Sequence, residues 1–319
     1  MGMHSGPHPV SVDYPVDHHE GDGMTGASLI QVACVQMTAT PDLQDNLAKA
    51  ERLIRRAAET LPPDGLRLIA TPEMTSGIMA GREAMQAAAF TQGDHPAIPF
   101  FADLAAALSC WLLIGSLAIK PEPHDPDQRL FNRTILFAPT GVVMAQYDKM
   151  HMFDVHVAGD QTYRESHAYR PGTKPVIAPL SATLSAAESN FGEPSPSKSG
   201  ICLGLTICYD LRFPPLYRSL AQAGAHIMMV PSSFTVPTGK AHWSVLLRAR
   251  AIETGAYVVA PAQTGEHYPG RKTYGHSLII NPWGEVMADA GTEPGVITAT
   301  LDMAQVAEAR QAIPAWQQD

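Results

Sequence analysis

The chain of 319 residues is poor in cysteine, and Cys34, Cys110, Cys202 and Cys208 form neither a CxxC pair nor a Cys/His array. A disulfide framework and a structural zinc site are therefore excluded, and a reducing compartment is expected. There is no Lys/Arg-rich block, and the formal net charge is −9. Nucleic acid and anionic membranes attract basic faces, so neither is expected as a partner. No apolar run approaches the roughly 20 residues that cross a bilayer, and the opening segment lacks the charged start and apolar core of a signal peptide. Gly6 stands where a myristoylation signal requires a hydroxyl residue. These absences point to a cytoplasmic protein acting on a small molecule.

What the sequence does contain is an alternation of strand and helix patterns. Residues 1–27 are polar and rich in Pro and Gly, and read as a mobile extension. The histidines there (His4, His8, His18 and His19) have no fixed geometry for a dedicated metal site. Residues 28–319 read as one mixed-sheet α/β domain, because no linker interrupts the alternation. A β-rich run, Ser28 to Met37, precedes a helix over Asp45 to Thr60 whose apolar face carries Leu47, Ala50, Leu53, Ile54 and Ala57. The strand Leu66 to Ala70 then places Glu73 near its carboxyl end, where open α/β sheets put their ligands. A hairpin turning at Pro139-Thr140-Gly141 leads to Lys149, and a similar one turns at Pro282-Trp283-Gly284. The Ser/Ala/Pro/Glu-rich stretch at about residues 181–199 reads as a surface insertion.

The most informative stretch is GICLGLTICYDLRFPPLYRSLAQAGA, Gly200 to Ala225. Alternating aliphatics mark a buried strand, a polar turn follows, and Pro214-Pro215 opens a helix. Cys208 thus sits at a strand tip facing a helix start, a setting that favours ionisation of the thiol and attack on a carbonyl. The amide of Tyr209 would donate to the developing oxyanion. The plainer alternative is a small buried apolar cysteine. A carboxylate at Glu73 can act as general base beside such a thiol and an ammonium at Lys149 can stabilise an oxyanion, the plainer alternatives being a solvated turn carboxylate and a surface charge.

TPEM around Glu73, YDKMHMFD around Lys149 and CYDLRFPPLYRSLAQAGA around Cys208 resemble, in order, the three motifs of the nitrilase superfamily of carbon–nitrogen hydrolases. TGKAHWSVLLRARAIETGAYVVAPAQTG and RKTYGHSLIINPWGEV are most similar to the Nit branch, with its deaminated glutathione amidases and ω-amidases. The resemblance implies an αββα four-layer sandwich, pairing into a homodimer or higher homo-oligomer, and requires neither metal nor organic cofactor. It assigns Glu73 as general base, Lys149 as oxyanion cation and Cys208 as nucleophile, with Glu165 beside Lys149 steering the amide or assisting proton transfer. A loop carboxylate is the alternative for Glu165. Tyr209, Arg212 and Thr238 are implied substrate contacts. Arg212 would bind a substrate carboxylate, or else pair with a buried acid such as Asp210. Thr238 lies in a loop from Ser232 to Gly239 expected to border the pocket, a purely structural strand-to-helix connection being the alternative for any one residue there. The expected reaction is thioester-mediated hydrolysis of a small carboxylate-bearing amide to acid and ammonia. N-carbamoyl hydrolysis, nitrile hydrolysis and a non-catalytic binding protein are the competing readings.

Overall fold

The computed structural model describes residues 29–156, 162–180 and 200–318. The expected extension at 1–27 and the expected insertion at about 181–199 lie outside the described residues. Chain order begins β1 (Leu29–Gln36), α1 (Leu43–Thr60), β2 (Leu66–Ala70), α2 (Arg82–Ala88), β3 (Phe90–Thr91), α3 (Ala97–Leu108) and β4 (Trp111–Lys120). The hairpin of β5 (Phe131–Phe137) and β6 (Val143–Asp148) follows, then β7 (Asp154–His156), β8 (Thr162–Arg164) and β9 (Val176–Leu180). Next come β10 (Ile201–Leu205), α4 (Pro214–Gln222), β11 (Ile227–Met229), α5 (Val236–Thr254) and β12 (Tyr257–Ala260). The last elements are β13 (Thr264–Tyr268), β14 (Arg271–Tyr274), β15 (Leu278–Ile280), β16 (Val286–Asp289), β17 (Gly295–Asp302) and α6 (Ala304–Ala312).

Alternation along each strand sorts side chains into two cores, because neighbouring residues point to opposite sheet faces. In β1, Ile30, Val32 and Cys34 enter one core while Ala33 and Val35 enter the other. β2 divides likewise, Leu68 and Ala70 against Ile69. The first sheet has the order β17-β1-β2-β4-β5-β6, with β3 beside β4, and α1 and α3 cover one of its faces. Its other face joins the second sheet, ordered β16-β15-β12-β11-β10-β9, in a contiguous core that continues to α4 and α5. The result is the expected αββα four-layer sandwich.

β1, β2 and β4 run parallel, as do β10, β11 and β12, while the two predicted hairpins supply antiparallel strands at one margin of each sheet. Parallel centres direct the carboxyl ends of β2 and β10 to one side, which is where Glu73 and Cys208 follow. Two elements differ from the sequence reading. α2 escapes it because none of its residues is buried, so it carries no apolar periodicity. α5 begins at Val236, inside the stretch read as a loop, because Pro237 occupies a first-turn position that needs no N–H partner. Among the described residues, no helix is long and apolar enough to cross a membrane.

Candidate active site

Glu73 follows β2 in a turn held against β4. Thr71 N–H donates to the Leu113 carbonyl at 2.9 Å, Met74 N–H to Ser116 Oγ at 2.8 Å and Thr75 N–H to the Ser116 carbonyl at 3.0 Å. This seating requires glycine at 115. A Cβ there would lie 2.1 Å from the Thr71 carbonyl oxygen and 2.5 Å from Pro231 of the other sheet. Gln263 completes the fixation, donating from Nε2 to the Glu73 carbonyl at 3.0 Å. Met74, directly after Glu73, has a left-handed backbone with φ 57°.

Cys208 also has a left-handed backbone, φ 50°, costing a non-glycine residue about 1–3 kcal/mol. The surrounding contacts hold it there. Cys208 N–H donates to the Pro231 carbonyl at 2.9 Å, and a 3₁₀ turn, Cys208–Arg212, follows. Within that turn, the fully buried Asp210 accepts from Ile207 N–H at 2.9 Å and from Tyr147 OH at 2.7 Å. It also accepts from His151 N–H at 3.0 Å, with His151 Nδ1 at 2.7 Å. Asp210 therefore ties the elbow to the segment that carries Lys149.

Lys149 Nζ, only 2% exposed, lies 3.0 Å from Glu73 Oε1 and 2.9 Å from Glu165 Oε2. Asn132 Nδ2 donates to both acids, at 2.9 Å to Glu73 and 3.2 Å to Glu165, and Phe153 N–H donates to Glu165 at 2.7 Å. Ser233 Oγ donates to the free oxygen of Glu73 at 2.6 Å. The Cys208 thiol interacts with Glu73, Lys149 and the Ser233 backbone amide. The four residues named from the sequence thus meet in one buried cluster.

Burial alone would push the Glu73 carboxyl up, but Lys149 and the Ser233 hydroxyl outweigh it and hold Glu73 below the usual carboxylate range. Glu165, buried beside the same ammonium and the charge of Glu73, is raised instead. Burial acts to lower Lys149, yet the two carboxylates leave it well above its ordinary value. The thiol departs from the sequence reading. Burial, then the Glu73 charge, drive it well above the ordinary cysteine value despite Lys149. Moreover, α4 begins with two prolines, which have no N–H to offer a thiolate. The resting site is therefore a thiol beside a carboxylate.

A cavity of about 540 Å³ opens onto this cluster. Glu73, Lys149, Cys208, Glu165, Tyr209 and Thr238 line it. Thr238 does so from the first turn of α5. Arg212 does not line it. Its guanidinium lies 5.8 Å from the Tyr209 ring and 5.7 Å from that of Phe234, and Nη2 is 3.3 Å from His242 Nδ1. Nor does it pair with Asp210, whose acceptors serve Tyr147 and His151. Among the described residues, no cluster of His, Cys, Asp and Glu is placed to hold a metal ion. Asn132 and Gln263 were not legible as site residues, since each gains its place only when distant segments pack. Ser233 falls within the loop expected to border the pocket, but its bond to Glu73 was not legible.

The family model described as carbon-nitrogen hydrolase matches residues 31–311. A deaminated glutathione amidase from Synechocystis sp. is 39% identical over 289 residues, covering 89% of this chain and 96% of that protein. The crystal structure of the C. elegans NitFhit protein aligns with TM-score 0.77 and 33% identity, covering 91% of this chain and 65% of that one. Saccharomyces cerevisiae Nit3, a member of branch 10 of the nitrilase superfamily, aligns with TM-score 0.71 and 28% identity, covering 90% of this chain and 94% of that one.

Proposed function

The chain belongs to the carbon–nitrogen hydrolase family, and from that premise we propose that it is a cysteine-dependent amidase acting on carboxylate-bearing amides of the deaminated glutathione or ω-amide kind. The observation that carries this reading is the buried contact of Lys149 with Glu73 and Glu165 beside the Cys208 thiol, all at the wall of one cavity. A volume of about 540 Å³ suits a ligand of tripeptide size or smaller.

In the proposed reaction Glu73 takes the thiol proton while sulfur bonds to the amide carbon. The carbonyl electron pair moves to oxygen, where the Lys149 ammonium and the Tyr209 N–H receive the charge. Collapse of this intermediate breaks the C–N bond, and the leaving nitrogen takes the proton held by Glu73. Water then gives a proton to the same carboxylate and adds to the thioester. The C–S bond breaks, and the thiolate recovers a proton. Glu165 positions Lys149 through two short contacts. A primary amide releases ammonia, whereas the secondary amides of deaminated glutathione release an amine, so both products must be followed.

The test compares wild type with Cys208→Ala and Lys149→Ala on deaminated glutathione, 2-oxoglutaramate, simple nitriles and N-carbamoyl amino acids. Wild type is expected to hydrolyse the first two, and both variants to lose at least about 10³-fold in kcat. Thermal unfolding separates them further. Lys149→Ala leaves two buried acids without their cation and loses about 3–5 kcal/mol, while Cys208→Ala keeps the fold. Equal turnover in all three proteins would remove the nucleophile and oxyanion assignments. The protein is further proposed to form a homodimer through an apolar face on α5, where Val245 is 67% and Ile252 51% exposed.

A further inference from the structure

Among the described lysine and arginine side chains that line the cavity, only one combines partial burial with freedom from acidic neighbours. Lys149 is held between two carboxylates. Arg82 and Arg164 are exposed. Arg271 is half-buried, and among the described residues no carboxylate lies within ion-pair distance of it. Its guanidinium is nevertheless fixed: Nη1 donates to Tyr163 OH at 3.1 Å, Nη2 donates to the Ser233 carbonyl at 3.2 Å, and the Tyr163 ring lies 5.2 Å away. Two of five N–H donors are so used, leaving a partly desolvated positive charge with donors to spare.

Its place relative to the reacting sulfur follows from Ser233. That residue turns its backbone N–H to Cys208, its hydroxyl to Glu73 and its carbonyl to Arg271. The guanidinium is therefore one residue's backbone away from the thiol, on the wall of the same cavity. β14 carries it rigidly. Tyr274 of this strand packs on Gly239 of α5 so closely that a Cβ there would be 2.2 Å from the ring.

The geometry points to Arg271 as the cation that receives the carboxylate of the substrate, making the preferred substrates amides with an anionic group a few bonds beyond the scissile carbonyl. This rests on the amidase reading and assigns the recognition of charge to β14, in place of Arg212. A planar guanidinium matches a carboxylate through two parallel hydrogen bonds, and a charge-assisted bond of this kind is worth about 1.5–3 kcal/mol, or roughly 10- to 150-fold.

The experiment uses the full chain and two amides of equal length, glutaramate and the uncharged pentanamide. Arg271→Gln is expected to lower the kcat/KM ratio of glutaramate to pentanamide at least about 10-fold, with Arg271→Lys recovering part of it and Arg212→Gln leaving the ratio within about twofold. General damage to the site lowers both substrates together and leaves the ratio unmoved, which overturns the inference. So does a loss of preference confined to Arg212→Gln. Glutarate binding by calorimetry supplies an arm that needs no turnover: Cys208→Ala is expected to bind it, and Cys208→Ala with Arg271→Gln at least about 10-fold more weakly. Binding without hydrolysis of any amide sinks the amidase reading alone. Glutarate affinity that is undetectable in Cys208→Ala, or indifferent to Arg271, sinks the inference alone.

Discussion

Ser233 shows how much one side chain can set in a buried site. Its hydroxyl donates to Glu73 at 2.6 Å and stabilises the ionised carboxyl. Glu73 lies below its ordinary 4.5, so it stays ionised until the pH falls beneath that value, and if it is the base, as proposed, the acid limb of kcat/KM is expected there. Ser233→Ala removes a donor to the charged form while burial remains, so the folded pKa rises and the acid limb moves to higher pH. A pH–rate profile of the two proteins checks this, and superimposable acid limbs would remove Ser233 from control of the base. A limb above 4.5 in wild type would instead implicate Glu165, which is raised above that value. The bond between Ser233 and Glu73 was not readable along the chain, because the two are 160 positions apart. The strand-end positions of Glu73, Lys149 and Cys208 were readable because each follows a strand whose alternation or hairpin turn is local, and their roles because the motifs around them resemble those of the family.

At the scale of elements, the critical point is where the turn after β2 crosses β4. Gly115 lets Thr71 and Pro72 pass over it and lets Pro231 approach from the second sheet. Gly115→Ala introduces a methyl carbon into backbone that cannot yield, and a loss of about 1–3 kcal/mol is expected together with a drop in kcat as Glu73 shifts. Thermal unfolding and amide turnover measured on the same preparation check both. An unchanged kcat would mean that the turn moves without carrying the carboxylate. The strands and long helices were legible here because burial imprints a period of two or 3.6 on them. α2 was not, having no buried face, and the start of α5 was concealed by Pro237 and Gly239, residues that signal loops until a first turn and a packed tyrosine explain them.

At the scale of the molecule, Val245 and Ile252 on α5 and Trp283, Val286 and Met287 on the β15–β16 hairpin are large apolar residues left in the open, as are Leu29, Val142 and Ile313 elsewhere. Arg248 Nε donates to the Gly284 carbonyl at 2.7 Å and Ile252 packs on Gly284, placing the exposed Trp283 beside the α5 face. Val245→Asp with Ile252→Asp puts two charges on the proposed dimer face. In light scattering after size exclusion the wild type is expected to have the mass of a dimer and the double variant that of a monomer, and a monomeric wild type or a dimeric double variant would remove this face as the contact. The reacting groups are themselves divided between layers, Glu73 and Lys149 arriving from the first sheet, Cys208 and Ser233 from the second. Neither half of the polypeptide owns a working centre. During refolding, hydrolysis therefore reports the closing of the two leaves upon each other, and its recovery lags behind the return of helical signal.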